Sequence, residues 1–344
     1  MFNIFTTQTI LNRIIASEGA KPEAARSQLF KMLRAARNVY VGLDSAESSG
    51  VEPLVSRHGI NPDISKSDYV NGIPSHPETV LRHPSSLFIL NISPSEASGI
   101  QRTYGVMCLS GDDANISSLI DINDIFISGE REKLGSGWDS VLNSVESLPS
   151  IAMLLTDRYL FAFRHPNAGD GIANIYDILQ QLLPKQFTGG EYHVTIIFDN
   201  QSKHTSYTFN DIATQLNKLK SQLRRDYPIM MEVLGITPDC SIYNRLHNRL
   251  IISNYYFVEA AHKLAAFNRD RGTARQTLIP MTLFTDSSLS GTSTPPLKVI
   301  DQTLTTLRDF SASLSTLADH SIYLYAVNGK RMDKCMGIRN RMVR

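Results

Sequence analysis

The chain has 344 residues, 42% of them hydrophobic and 19% charged, which is enough for one large or two ordinary cores and excludes wholesale disorder. Lys and Arg total 34 against 33 Asp and Glu, so no global field draws the chain to nucleic acid or to an anionic membrane, and any such binding is local. Cys108, Cys240 and Cys335 stand far apart, with neither CxxC pairing nor a metal-ligand rhythm with histidine, which points to a reduced intracellular chain.

The opening "MFNIFTTQTILNRIIASEG" lacks the basic start, long apolar block and cleavage site of a secretory signal. No apolar run approaches the roughly 18 residues that span a bilayer, so the expectation is a soluble, cytoplasmic protein with no transmembrane segment. Residues 1–37 read as helical, with a second start at Pro22 and Glu23 ahead of Leu29, Phe30, Met32 and Leu33. "NVYVGLD" (38–44) reads as a buried strand, and 45–84, rich in Ser, Gly, Pro, Asp and His, as a long irregular excursion. "SLFILNIS" (86–93) and "YGVMCLSGDD" (104–113) are strands, joined by a short helix whose start, Ser93, Pro94 and Glu96, carries capping signals.

From residue 149 the rhythm is cleaner. "SIAMLLTDRYLFAF" (150–163), "YHVTIIFD" (192–199), "IMMEVLGIT" (229–237) and "RLIISNYYFV" (249–258) read as strands. "IANIYDILQQLLP" (172–184) and "FNDIATQLNKLKSQLRRDY" (209–227) read as helices between the first three of them. "SSLSGTSTPP" is a linker, 299–319 a helix and "SIYLYAVNG" (321–329) a last strand. This order predicts an α/β fold, a mixed sheet flanked by helices. It divides the chain into an N-terminal α/β region (1–148), an α/β domain (149–329) and a basic C-terminal tail (330–344).

The most informative stretch is "HNRLIISNYYFVEAAHKLAAFN", 247–268, in which His247 and Arg249 enter an apolar strand that ends at Asn254. Together with the element order from 150 onward it resembles the phospholipase D-like domains, whose signature is H-x-K-x4-D. The histidine is kept, the lysine has become Arg249 and the aspartate Asn254. The nearer likeness is to divergent members, bacterial ones and a membrane-binding one attached to MIT domains, where the strand reads approximately H-D-R-x-I-x-x-N. Phe267 fits that outline; Asn248, Ala260 and Ala261 depart from it.

The resemblance implies a phospholipase D-like fold over about 150–268, built from two related halves, with 1–148 as either a degenerate first half or a separate α/β domain. It also implies metal-independent phosphodiester chemistry without a cofactor, in which His247 attacks phosphorus and Arg249 holds the phosphate. Asn254 supplies no carboxylate charge, and no second copy of the motif occurs in the chain. Catalysis would therefore require a homodimer that pairs two copies of His247. A hydrogen-bonded boundary role for His247 and a turn role for Asn254 stay open beside these.

Asp157 and Arg158, in "LLTDRYLF", would face the same cleft as His247 if the two strands are parallel neighbours; a local turn or ion pair is the alternative. "KSQLRRDY" and the C-terminal "GKRMDKCMGIRNRMVR" are basic patches. In the latter, Lys330, Arg331, Arg339 and Arg341 could contact phosphate in a salt-dependent way, or belong to a solvated terminus. No phosphate-binding loop, dinucleotide fingerprint, nucleophile elbow or zinc spacing is present.

Two readings follow. One is a non-catalytic phospholipase D-like protein that binds a phosphate-bearing ligand, nucleic acid foremost, or a protein partner; the resemblance implies a bacterial defence or mobile-element setting. The other is a metal-independent phosphodiesterase or nuclease that uses His247 in a homodimer.

Overall fold

A computed structural model of the chain describes residues 2–16, 29–30, 32–44, 62–112, 149–161, 171–200, 207–246, 249–259, 264, 281–283, 296–313, 322–328, 331–334 and 337–343. The chain divides into two units, 1–125 with 187–189 and 285–287, and 126–186 with 190–284 and 288–344.

In the first unit, Asn3–Thr7 (β1) is a buried strand that passes directly into the helix Gln8–Ala16 (α1). A helix was expected throughout this stretch, and β1 corrects it. Ile4, Phe5, Thr6 and Thr7 are aromatic or β-branched, and a strand buried on both faces has no polar alternation to betray it. β1 is the middle of an all-parallel sheet with Asn38–Gly42 (β2), Pro62–Asp63 (β3), Leu87–Leu90 (β4) and Met107–Ser110 (β5), in the order β3-β2-β1-β4-β5. The chain winds outward through β2 and β3, then returns to the other side of β1, the topology of a doubly wound sheet. These strands form a sheet of their own and do not extend that of the second unit.

The described part of 45–84, expected to be irregular, holds β3, the helix Ser67–Gly72 (α2) and the 3-10 segment Pro77–Arg82. Pro94–Tyr104 (α3) starts as its sequence predicts: Ser93 N donates to Glu96 Oε2 at 2.8 Å, Glu96 N donates to Ser93 Oγ at 3.3 Å, and Gly105, at φ 63°, ends it in the left-handed region. The register sets Phe5 between Tyr40 and Phe88, with ring centroids 5.0 Å away on each side. Val70, Ile73, Val80, Ala97 and Ile100 cover that face.

The second unit carries the expected mixed sheet flanked by helices. Ala152–Thr156 (β6), Tyr192–Asp199 (β7) and Ile229–Ile236 (β8) are parallel, buried along their whole length, and connected by the helices Gly171–Leu182 (α4) and Phe209–Leu223 (α5). α5 opens on a capping box in which Thr208 and Asp211 bond reciprocally. Gly171, the first residue of α4, packs so closely on the backbone that a Cβ there would fall 1.6 Å from the Leu160 carbonyl oxygen.

Around this parallel centre the sheet is antiparallel. Leu250–Ser253 (β9), Tyr256–Glu259 (β10) and Met281–Leu283 (β11) extend it from β6. Beyond the helix Pro296–Ser313 (α6), Ile322–Asn328 (β12) and Arg331–Lys334 (β13) extend it from β8. The order is β11-β10-β9-β6-β7-β8-β12-β13. The single strand expected over 249–258 is thus a hairpin that turns at Asn254 and Tyr255, two polar-tipped residues that interrupt the apolar run.

The C-terminus is also corrected. Instead of a solvated tail, β13 adds to the sheet, and Ile338, Asn340, Met342 and Val343 are buried. The buried Glu232 carboxylate accepts from Thr195 Oγ1 at 2.7 Å, Arg339 N at 3.0 Å and Asn340 N at 3.2 Å. Asn340 Nδ2 donates to Met153 O and to Thr195 Oγ1. Burial pushes the Glu232 carboxyl upward while these donated bonds pull it back, with a net upward shift.

Candidate functional site

Parallel strands bring their carboxyl ends to one edge, where the chain leaves the sheet and side chains are free of ladder pairing. In the second unit that edge collects charge. Asp157 follows β6 and is 1% exposed, and Asp199 ends β7 at 0%. Asp157 Oδ1 accepts from Tyr159 N at 2.9 Å, and Oδ2 from Leu264 N at 2.5 Å. Asp199 Oδ2 accepts from the Tyr243 hydroxyl at 2.5 Å. Burial, then the bond to Asp199, pushes that hydroxyl up to about 12.

Two arginines join the carboxylates. Arg249 precedes β9, which runs antiparallel to β6 with Thr156 opposite Leu250, so the start of one strand meets the end of the other. Arg249 Nε lies 4.0 Å from Asp157 Oδ1, and its guanidinium 5.7 Å from the Tyr159 ring centroid. The sequence puts Asp157 and Arg158 in one cleft with His247 if their strands are parallel neighbours; β6 and β9 are neighbours but antiparallel, and His247 lies outside the described residues. Arg249 meets Asp157 because residue 249 begins its strand and 157 follows its own.

The Arg158 guanidinium lies 5.8 Å from the Tyr159 ring and 5.2 Å from that of Tyr243. Among the described residues no carboxylate comes within ion-pair distance of it, and its buried Nε has no hydrogen-bond partner. Arg158, Asp199 and Tyr243 also line one small pocket.

Other sequence candidates fall elsewhere. Asn254 is 3% exposed and accepts from Ile151 N at 3.1 Å, at the opposite end of β6 from Asp157. Five positions, about 16 Å of extended strand, separate it from Arg249, the spacing that the resembled motif itself has; what the structure adds is that the Asn254 side chain is engaged by the Ile151 N–H. His247 and Lys330 lie outside the described residues, as does the Arg331 side chain.

Arg339 is held through its backbone, its N–H on Glu232 and its carbonyl oxygen 2.7 Å from His193 Nδ1. His193 stands near the start of β7, six residues or about 20 Å from Asp199. The C-terminal segment carrying Arg339 and Arg341 therefore packs toward the far end of the strands from Arg249. In the other basic patch, Arg225 is used internally, donating to Leu223 O, Gln180 O and Leu183 O at the ends of α5 and α4.

Asp199, Tyr159 and Tyr243 were missed. One signal for Asp199 was available: "MLLTD" and "YHVTIIFD" both close an apolar strand on aspartate, and the carboxyl ends of parallel neighbours share an edge. Tyr243 carries no such signal. Among the described residues no group of three His, Cys, Asp or Glu could hold a metal ion, and no helix is long and apolar enough to cross a membrane.

No family model and no curated protein matches the chain. Among solved structures, that of Aa-Ago with externally bound siRNA aligns with 89% of this chain at 11% identity, with a TM-score of 0.18. The chain spans 44% of that protein's length, and a superposition at that score identifies no shared fold.

Proposed function

We propose that the second unit is a phospholipase D-like module that has lost catalysis and kept phosphate recognition, binding a phosphate-bearing ligand, nucleic acid foremost, at the carboxyl edge of β6 and β7 in a cytoplasmic protein. The observation that carries the reading is Arg158. A half-buried guanidinium resting on two tyrosine rings with no carboxylate partner among the described residues is a cation that an anion would complete, and Arg249 stands beside it at the same edge. Loss of catalysis is supported by Asn254, which supplies an amide where the resembled motif has a carboxylate and accepts the Ile151 N–H.

The test is equilibrium binding of a 5′-phosphorylated, fluorescein-labelled oligonucleotide to the full chain, followed by anisotropy across a salt series. Arg158→Ala and Arg249→Ala are each expected to weaken binding about tenfold and to lower the salt slope by roughly 0.7 to 0.9 for each phosphate no longer neutralised. Wild-type slopes retained by both variants would overturn the assignment. Turnover of bis(p-nitrophenyl) phosphate that disappears in His247→Ala would replace it with the phosphodiesterase reading, for which sedimentation must then show a dimer.

A further inference from the structure

Recognising a phosphate requires charge, and two arginines supply it; it does not require aromatic rings. Yet the cations at this edge alternate with tyrosines. Arg249 stands over Tyr159, Tyr159 also neighbours Arg158, and Arg158 stands over Tyr243, at 5.7, 5.8 and 5.2 Å from guanidinium carbon to ring centroid. All four side chains are half-buried, so each keeps part of its surface in solvent.

The carboxylates beneath are committed inward. Asp157 accepts from two backbone N–H groups and also faces Arg249 Nε at 4.0 Å, and Asp199 accepts from the Tyr243 hydroxyl; Asp157 thereby positions Arg249, and Arg158 is the cation of the row without a carboxylate partner among the described residues. Phenol rings and guanidinium planes both offer faces on which a base can stack, and interleaving them with positive charge matches a ligand that carries one flat base per phosphate. In a duplex the bases are stacked on one another and closed to such a row; a lipid headgroup has no base to place there.

We propose that this row binds single-stranded nucleic acid, bases stacking on Tyr159 and Tyr243 and backbone phosphates lying against Arg158 and Arg249. It rests on the phosphate reading given above and adds the identity of the ligand.

The experiment compares a labelled 12-nucleotide single strand, the same sequence as a duplex, and anionic phosphatidylserine vesicles, using the full chain with wild-type, Tyr159→Leu, Tyr159→Phe and Arg249→Ala forms. The expected result is a wild-type preference for the single strand over the duplex of tenfold or more, with single-strand affinity lowered about 5- to 150-fold in Tyr159→Leu and kept in Tyr159→Phe. The strand preference of the wild type stands as a test even where Tyr159→Leu does not fold by circular dichroism. Equal binding of single strand and duplex, with Arg249→Ala still weakening both, overturns stacking and leaves phosphate recognition in place. Vesicle binding that depends on Arg249, without oligonucleotide binding, also overturns stacking and moves the phosphate to a lipid. No binding to any of the three overturns both.

Discussion

Asn254 shows how a position can look catalytic in a sequence and be structural in the fold. Its Oδ1 satisfies the Ile151 N–H where β6 begins, and an N–H buried without a partner costs about 1 to 3 kcal/mol. Asn254→Ala is expected to lose that much stability in urea unfolding of the chain. Asn254→Asp, which restores the aspartate of the resembled motif, is expected to yield no phosphodiester turnover, since the new carboxylate would accept the Ile151 N–H as Asn254 does; turnover on gaining it would reverse the structural assignment.

His83 makes a separate point at the same scale. Burial, then the nearby charges of Lys66 and Arg82, lowers its imidazole from 6.5 to about 4. Because the folded value is the lower one, the neutral ring's contribution is complete above pH 6.5. It is lost as pH falls from there toward 4, where the unfolded chain takes up a proton that the folded one refuses. The first unit should therefore be less stable at pH 5 than at pH 7.5, and His83→Gln should flatten that slope. NMR of the His83 ring should show no titration down to pH 5.

At the scale of elements, the sequence was most legible where a local signal is strong. The helix starts at Ser93 and Thr208 follow from side chains that bond the first turn, and α4 and α5 follow from a 3.6-residue apolar spacing. β1 was illegible because five buried residues in a row carry no period, and "NIFTTQTIL" suits a strand or a helix until its neighbours are known. The hairpin at Asn254 was missed for the same reason, since an apolar run on both sides of a two-residue turn reads as one strand.

Gly171 tests an element boundary. Its missing Cβ lets α4 start against the Leu160 carbonyl, so Gly171→Ala should displace the start of α4 and destabilise the second unit by several kcal/mol despite alanine's better helix propensity. A thermal midpoint equal to wild type would show that the backbone there can shift without cost.

Over the whole molecule, what could not be read was pairing. Asp157 and Arg249 are 92 positions apart, and nothing local declares that β9 runs back along β6; likewise Asn340 meets Met153 and Thr195 across most of the second unit. The C-terminal segment was misjudged because its charges are frequent, whereas Ile338, Asn340, Met342 and Val343 between them are what the fold buries. Deleting 337–344 removes two donors from the buried Glu232 and the bonds that Asn340 makes to two strands. The truncated chain is expected to lose its near-ultraviolet circular dichroism and to become protease-sensitive in the second unit, and Asn340→Ala alone to cost about 1 to 3 kcal/mol.

The two strand orders share a property that bears on how the chain is made. Taken in the order of synthesis, β2 and β3 join one side of β1 and β4 and β5 the other; then β7 and β8 extend β6 on one flank, β9 to β11 on the other, and β12 and β13 beyond β8. Each arriving strand docks on an edge that is still open, and none must be inserted between two already paired. The described strands of both sheets can therefore be laid down outward from their centres as the chain leaves the ribosome, with no pair that has formed having to part for a later strand.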